Sequence, residues 1–197
     1  MNAHAYIVAA GGANYGSLRE ACRRIGVDVE LGDDPERMAA ATHVILPGVG
    51  AAGHAMSALR ARGLDRALAR IQQPLLGICL GMQLLFEHSE EDDADGIGLL
   101  PGTVERLPPA PSWPHMGWNT LDASSAHPLL DGVTDDDWFY FVHGYAAAPG
   151  ASTLAKTQHG GAFAAAVAHG NVHGVQFHPE KSGGAGRRVL SNFFALA

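Results

Sequence analysis

The sequence predicts an α/β fold: a central, mostly parallel sheet with helices on both faces and antiparallel additions in the C-terminal half. Three observations predict it. Short apolar runs alternate with helical patterns through the first half, the β-α-β-α order of a parallel sheet. The second half changes character, into strand-length runs separated by Gly, Pro, Asn and Asp. The 197 residues, 47% of them hydrophobic, suffice for a sizeable core and read as one domain, 1–197.

Taken in order, residues 5–10 read as the first strand and Gly11-Gly12-Ala13-Asn14 as a turn. A helix is expected over 17–25, with Gly26 as its stop signal. Residues 27–31 are the second strand, 35–40 a short helix and 43–46 the third strand. Pro47-Gly48-Val49-Gly50 is a turn, helical stretches run through Ile71, and 75–78 form the fourth strand. Met82-Gln83-Leu84-Leu85-Phe86 reads as the start of an amphipathic helix. Beyond it, 102–107, 138–142, 154–158, 164–168 and 172–177 are strand candidates, expected as antiparallel additions to the sheet. A helix over 185–196 closes the chain, and Pro108-Pro109-Ala110-Pro111 reads as a loop.

Composition narrows the function. A formal net charge of −7 with no basic run argues against a nucleic-acid surface. The acidic runs Glu87-His88-Ser89-Glu90-Glu91-Asp92-Asp93 and Asp135-Asp136-Asp137 lack a fixed ligand spacing and read as solvated loops. The two cysteines, Cys22 and Cys79, cannot make a disulfide framework. Cys22 shares a helical face with Leu18 and Ile25 and reads as core. Residues 1–5 lack the basic and apolar regions of a signal peptide, and no apolar stretch approaches the roughly 18 residues of a membrane span. A cytoplasmic enzyme without membrane contact is the expectation.

The most informative segment is Gly77-Ile78-Cys79-Leu80-Gly81, a strand, a sharp turn and a helix start with the pattern of a nucleophile elbow. Alone, Cys79 is either a reactive nucleophile or a buried structural thiol. A nucleophilic cysteine needs a base and a group to orient it. Gly174-Val175-Gln176-Phe177-His178-Pro179-Glu180 supplies both: Pro179 keeps the stretch extended, so His178 and Glu180 can lie on one side. The main-chain N–H of Leu80 and the glycine turn at Val49-Gly50 are candidate oxyanion donors. His169 and His173 have a spacing that binds zinc on a helix, but Gly170 and Gly174 argue against a helix there.

Gly-Ile-Cys-Leu-Gly-Met-Gln, followed about a hundred residues later by Gly-Val-Gln-Phe-His-Pro-Glu-Lys-Ser, resembles the class I (triad) glutamine amidotransferases. Pro47-Gly48-Val49-Gly50, Pro114-His115-Met116-Gly117-Trp118-Asn119 and Tyr140-Phe141-Val142-His143-Gly144-Tyr145 narrow the resemblance to glutaminase subunits of imidazole glycerol phosphate synthase. The resemblance implies a flavodoxin-like fold and a triad of Cys79, His178 and Glu180. It also implies an oxyanion environment from Val49, Gly50 and Leu80, and glutamine contacts from Gln83, His143, Gly144 and Tyr145. No cofactor and no metal are implied. The implied partner is a (β/α)₈-barrel cyclase in a heterodimer, taking ammonia for histidine biosynthesis. Asn14, Trp118, Asn119 and Lys181 are the interface candidates, Trp118 being equally readable as core. The turn at Val49 is expected to become active only when that partner is engaged.

The chain departs from the pattern at Gly144, where a serine is common, and at Ala52 and His54, which replace an aromatic and an acidic residue. Ala9-Ala10 lacks an acidic residue often seen there. Competing readings are a small amidotransferase serving another acceptor, such as the glutaminase of pyridoxal phosphate synthase, a cysteine hydrolase working alone, and a non-catalytic subunit.

Overall fold

The computed structural model describes residues 4–9, 11–109, 112–123 and 126–197. Met1-Asn2-Ala3, Ala10 at the end of the expected first strand, and Ala110-Pro111 of the expected loop lie outside them. The first half follows the expected alternation: β1 (Ala5–Val8), α1 (Tyr15–Arg24), β2 (Val29–Gly32), α2 (Pro35–Ala40), β3 (His43–Gly48), α3 (Ala52–Ala61), α4 (Leu64–Leu68) and β4 (Leu75–Cys79). Helix α1 starts earlier than its apolar spacing suggested because Asn14 caps it, Oδ1 accepting the Ser17 N–H at 3.1 Å.

After β4 come α5 (Leu80–Gln83), β5 (Phe86–Ser89), β6 (Ala94–Asp95), β7 (Leu100–Arg106), β8 (His115–Asn119) and β9 (Asp122–Ala123). The chain continues through β10 (Phe139–His143), β11 (Tyr145–Ala147), β12 (Thr153–Gln158), β13 (Ala162–His169), β14 (Val172–Val175) and α6 (Gly183–Phe194). The main sheet runs β2-β1-β3-β4-β14-β13-β12-β9. Its first five strands are parallel and the last three antiparallel.

The strands feed two cores by simple alternation. Tyr6, Val8, Val44, Leu46 and Leu75 face one side, packed with Met56 and Leu59 of α3 and Leu64 of α4. Ile7, Ile45, Leu76 and Ile78 face the other, with Leu18 and Cys22 of α1 and Val189 and Phe193 of α6. A sheet covered on both faces in this way explains why its inner parallel strands β1 and β4 are continuous apolar runs, while the edge strand β2 is not. No helix among the described residues is long and apolar enough to cross a membrane.

Four expectations are corrected. The strand expected over 172–177 pairs parallel with β4, so only β13, β12 and β9 are antiparallel additions. The strands expected over 102–107 and 138–142 lie outside the main sheet: β7 joins β11, β5 and β6, while β10 pairs with β8. The helix after the elbow is a single turn with all four residues buried, not an amphipathic helix. Beyond it, the carbonyls that would carry the helix on are taken by the following segment: Ile97 N–H donates to Leu84 O at 2.8 Å and Leu99 N–H to Leu85 O at 2.8 Å. Lastly, the acidic runs are not simply solvated. Asp137 pairs with Arg188 at 3.0 Å. Glu91 and Asp92 accept the N–H groups of Ala52 and Gly53, at 3.0 and 3.2 Å, and so cap α3, whose own N-cap residue Ala51 has no side-chain acceptor.

Candidate active site

Strand register assembles the site. Parallel pairing sets Gly48 of β3 beside Cys79 of β4, and Val175 of β14 beside Ile78. The segments leaving the carboxyl ends of these three adjacent strands therefore meet, at the end of the sheet where parallel α/β folds carry their sites. Cys79 ends β4 and Leu80 begins α5 with no intervening loop. The cysteine takes φ 55° and ψ −113°, a backbone conformation that costs an L residue about 1–3 kcal/mol and persists only where the surroundings enforce it. Its sulfur donates to Val142 O at 3.8 Å and accepts from Gln176 Nε2 at 3.7 Å. Cys22 is different in kind: burial, with the Glu180 charge adding, pushes its thiol up to about 12, and it sits in the core as expected.

His178 and Glu180 do come together, by a route other than the extended chain anticipated. His178 is extended, at φ −97° and ψ 97°, as a residue before proline should be, but Pro179–Lys181 turns into a single 3-10 helical turn. The turn swings the carboxylate back, so His178 Nδ1–H donates to Glu180 Oε1 at 2.9 Å with both side chains 5% exposed. Ser182 fixes the turn, its hydroxyl donating to His178 O at 2.7 Å and accepting from Tyr140 N–H at 3.0 Å. Burial disfavours a charged His178 ring, but the Cys79 sulfur and the Glu180 carboxylate outweigh it and push the pKa up to about 9. Nε2, the atom a general base would use, is buried on the Cys79 side and has no partner of hydrogen-bond geometry among the described residues.

That raised pKa carries a prediction. A raised folded-state pKa stabilises the fold fully below the ordinary value near 6.5, and this contribution is lost as pH climbs through about 9. Glu180→Gln is therefore expected to be less stable than the parent at pH 6, with the gap narrowing by pH 9.5 in urea denaturation. It is also expected to lose roughly 10²-fold in turnover, since a misheld base forfeits most of the general acid–base gain.

A cavity of about 300 Å³ opens beside Cys79, lined by Val49, Gly50, Leu80, Gln83, Glu91, Val142, His143, Gly144, Tyr145 and His178. Every candidate oxyanion and substrate residue is thus at one place. Their roles differ in detail. Val49 N–H donates to Gly12 O at 3.0 Å, so in this conformation it is committed to the turn after β1. Gly50, at φ 96°, holds a backbone angle that glycine alone adopts freely. His143 Nδ1–H donates to Tyr145 O at 2.8 Å, and its Nε2 accepts from His115 Nδ1 at 3.3 Å. Burial pushes its pKa down to about 3, so this ring is a neutral brace within the wall. At Gly144 a Cβ would lie 2.6 Å from the Trp113 indole, whose Nε1–H donates to Gly144 O at 3.0 Å, so a serine there would have to displace that exposed ring.

Among the interface candidates, Asn14 is the cap of α1 and Asn119 donates to Gln158 O at 3.0 Å. Trp118 is 52% exposed rather than core. It meets Tyr140 edge-on, and the Lys181 ammonium lies 5.5 Å over the same Tyr140 ring. Two residues escaped the sequence reading. Glu91 faces the cavity, and burial raises its pKa. It lay hidden in an acidic run whose members look alike. Gln176 touches both Gln83 and Cys79, and only its place two residues before His178 could have marked it.

A strained cysteine elbow facing a buried His–Glu pair, at the carboxyl end of a doubly covered parallel sheet, defines a triad-type thiol acyl-transfer protein. The sequence matches the family described as glutamine amidotransferase class-I over residues 7–197, and the chain belongs to that family. The imidazole glycerol phosphate synthase subunit HisH of Xanthomonas axonopodis pv. citri (strain 306) is 52% identical over 193 residues, covering 97% of this chain and 96% of the relative. The subunit of the same name from Xylella fastidiosa (strain Temecula1) is 52% identical over 192 residues, 96% of each chain. Among solved structures, a glutamine amidotransferase matches with a TM-score of 0.77 at 20% identity, covering 97% of both chains. PurLQS from Thermotoga maritima matches with a TM-score of 0.68 at 19% identity, covering 99% of both. These two likenesses speak for the fold alone.

Proposed function

We propose that this chain, as a single domain over 1–197, is the glutaminase subunit of an imidazole glycerol phosphate synthase in histidine biosynthesis. The observation that carries the reading is the Cys79 sulfur on the cavity wall with the buried His178–Glu180 pair beside it; the HisH relatives supply the pathway. The Cys79 proton passes to His178, and the thiolate attacks the side-chain carbonyl carbon of glutamine. The imidazolium then protonates the departing nitrogen, ammonia leaves, and a glutamyl thioester remains. Water, deprotonated by His178, attacks the thioester and releases glutamate and the free thiol.

Substrate recognition follows from the walls. Both Gln83 N–H groups are taken, by Tyr145 O at 2.8 Å and Gln176 Oε1 at 3.0 Å, so Gln83 offers the substrate only its carbonyl oxygen. Glu91 is the cavity's carboxylate outside the triad and pairs with the α-ammonium group of glutamine. Gly144 and Tyr145 contact its amino-acid end through the backbone. Leu80 N–H, with Val49 and Gly50, receives the oxyanion.

Ammonia goes to a (β/α)₈-barrel cyclase in a cytoplasmic heterodimer. The exposed Trp118, Met116 and Lys181 suit that contact, and Tyr140 links them to the triad, because its carbonyl accepts the His178 N–H at 2.9 Å. The Val49–Gly12 bond makes the free chain a poor enzyme, and docking is the event that releases it. Glutamine hydrolysis by the chain alone is expected to be slow. Adding the cyclase and its nucleotide substrate should raise it about 10²–10³-fold, the worth of a recovered oxyanion donor. No rise would overturn the assignment.

A further inference from the structure

We propose that Gln176 is a hydrogen-bond donor to the Cys79 thiolate, locked in its donating orientation by Gln83 and, through Gln83, by the backbone of Tyr145. The inference rests on the reading of Cys79 as the nucleophile and adds a residue to its machinery.

The orientation follows from an accounting of donors and acceptors. A main-chain carbonyl only accepts, so Tyr145 O obliges Gln83 to present Nε2, at 2.8 Å. The second N–H of that nitrogen needs an acceptor, and Gln176 Oε1 lies 3.0 Å away. With its oxygen assigned, Gln176 must aim its own amide nitrogen elsewhere, and Nε2 stands 3.7 Å from Cys79 Sγ. The side chain is wholly buried, so bulk water does not compete, and the Gln83 bond to its oxygen opposes rotation of the amide. Reversing the Gln176 amide would set an oxygen against the sulfur and an N–H against the Gln83 N–H.

The contact discriminates between the two states of the sulfur. A thiol donates to Val142 O, at 3.8 Å, and gains little from an N–H beside it. Once the proton has gone to His178 Nε2, the Val142 contact has no hydrogen left, whereas a charged acceptor strengthens the Gln176 bond. Gln176 loses no proton in the cycle. It favours the thiolate before attack and again when the thioester breaks.

Alkylation of Cys79 by iodoacetamide reads this directly, in the full-length chain and without glutamine or a partner. Cys22 stays silent because its buried thiol is pushed up to about 12. The other titratable groups around the sulfur, His178, Glu180, His143 and Glu91, are untouched by the substitution Gln176→Met. In that variant the midpoint of the pH profile is expected to move up by about one unit, the rate on the rising limb below it to fall about tenfold, and the alkaline plateau to be retained. A residue that merely fills space would lower the melting temperature and leave the profile in place. Should Gln176→Met fail to fold, Gln83→Met releases the Gln176 amide from its lock and should move the profile the same way by a smaller step. An unmoved profile in a folded variant overturns the proposal. Failure of the parent Cys79 to react at all would instead overturn the nucleophile and this inference with it.

Discussion

Cys79→Ala is expected to abolish glutamine-driven synthesis, by at least about 10⁴-fold, while synthesis from added ammonium salts continues at the parent rate. The size follows from the mechanism: without sulfur there is no thioester, and a water molecule would have to attack an unactivated amide directly. The survival of the ammonia route follows from the structure. Cys79 holds its strained angle as part of a strand–helix junction, and its sulfur's hydrogen bonds to Val142 O and from Gln176 Nε2 are long, at 3.8 and 3.7 Å. Removing one atom from that place leaves the elbow's backbone, the Val49 turn and the Trp118–Tyr140–Lys181 surface intact. Measuring both nitrogen sources on one preparation of the complex separates chemistry from docking. Loss of both would make Cys79 a structural thiol; retention of both would move the chemistry elsewhere.

The parallel half of the fold was legible because its inner strands β1, β3 and β4 are buried on both faces and so spell apolar runs. Its partner strands were less so. Val172–Val175 carries no local mark of direction, and its parallel pairing with β4 is decided by the path of the chain between them. The short strand His115–Asn119 alternates buried His115 with exposed Met116 and Trp118, a pattern blurred by large apolar residues on the exposed side. At the site, the meeting of Cys79, His178 and Glu180 was legible because glycine and proline mark their turns. Glu91 was not, since its neighbours in sequence are as acidic as it is. Nor was the state of Val49: its tie to Gly12 is a backbone hydrogen bond between two loops, and no side chain records it.

Gly81→Ala is expected to cost the fold more than any loss of a side chain in the cavity. A Cβ at Gly81 would lie 1.7 Å from Leu46 O and 2.7 Å from the Leu46 carbonyl carbon, both backbone atoms. Leu46 cannot retreat, because β3 is paired on both sides, with β1 through Ile45 and with β4 through Leu46 opposite Gly77. The turn already lies so close on β4 that a Cβ added at Gly77 would meet Met82 backbone atoms at 2.7 Å, and lifting α5 away would expose its four buried residues. One methyl group must therefore part the helix from the sheet at the elbow. Destabilisation of at least about 4 kcal/mol is expected, the range reached only by severe steric or cavity defects, or a fall in melting temperature of about 10 °C for a chain of this size. Gly184→Ala is the control: it adds the same methyl near the start of α6, with nothing within 4 Å, and should leave the melting temperature within a degree or two. The two alanines differ in what they reach, not in chemistry. If Gly81→Ala melts with the parent, the elbow has slack that the packing denies, and the strained angle at Cys79 must be held by some other contact. If it melts early and loses ammonia-driven synthesis as well, the junction that aims the sulfur is also what keeps this end of the sheet in shape for its partner.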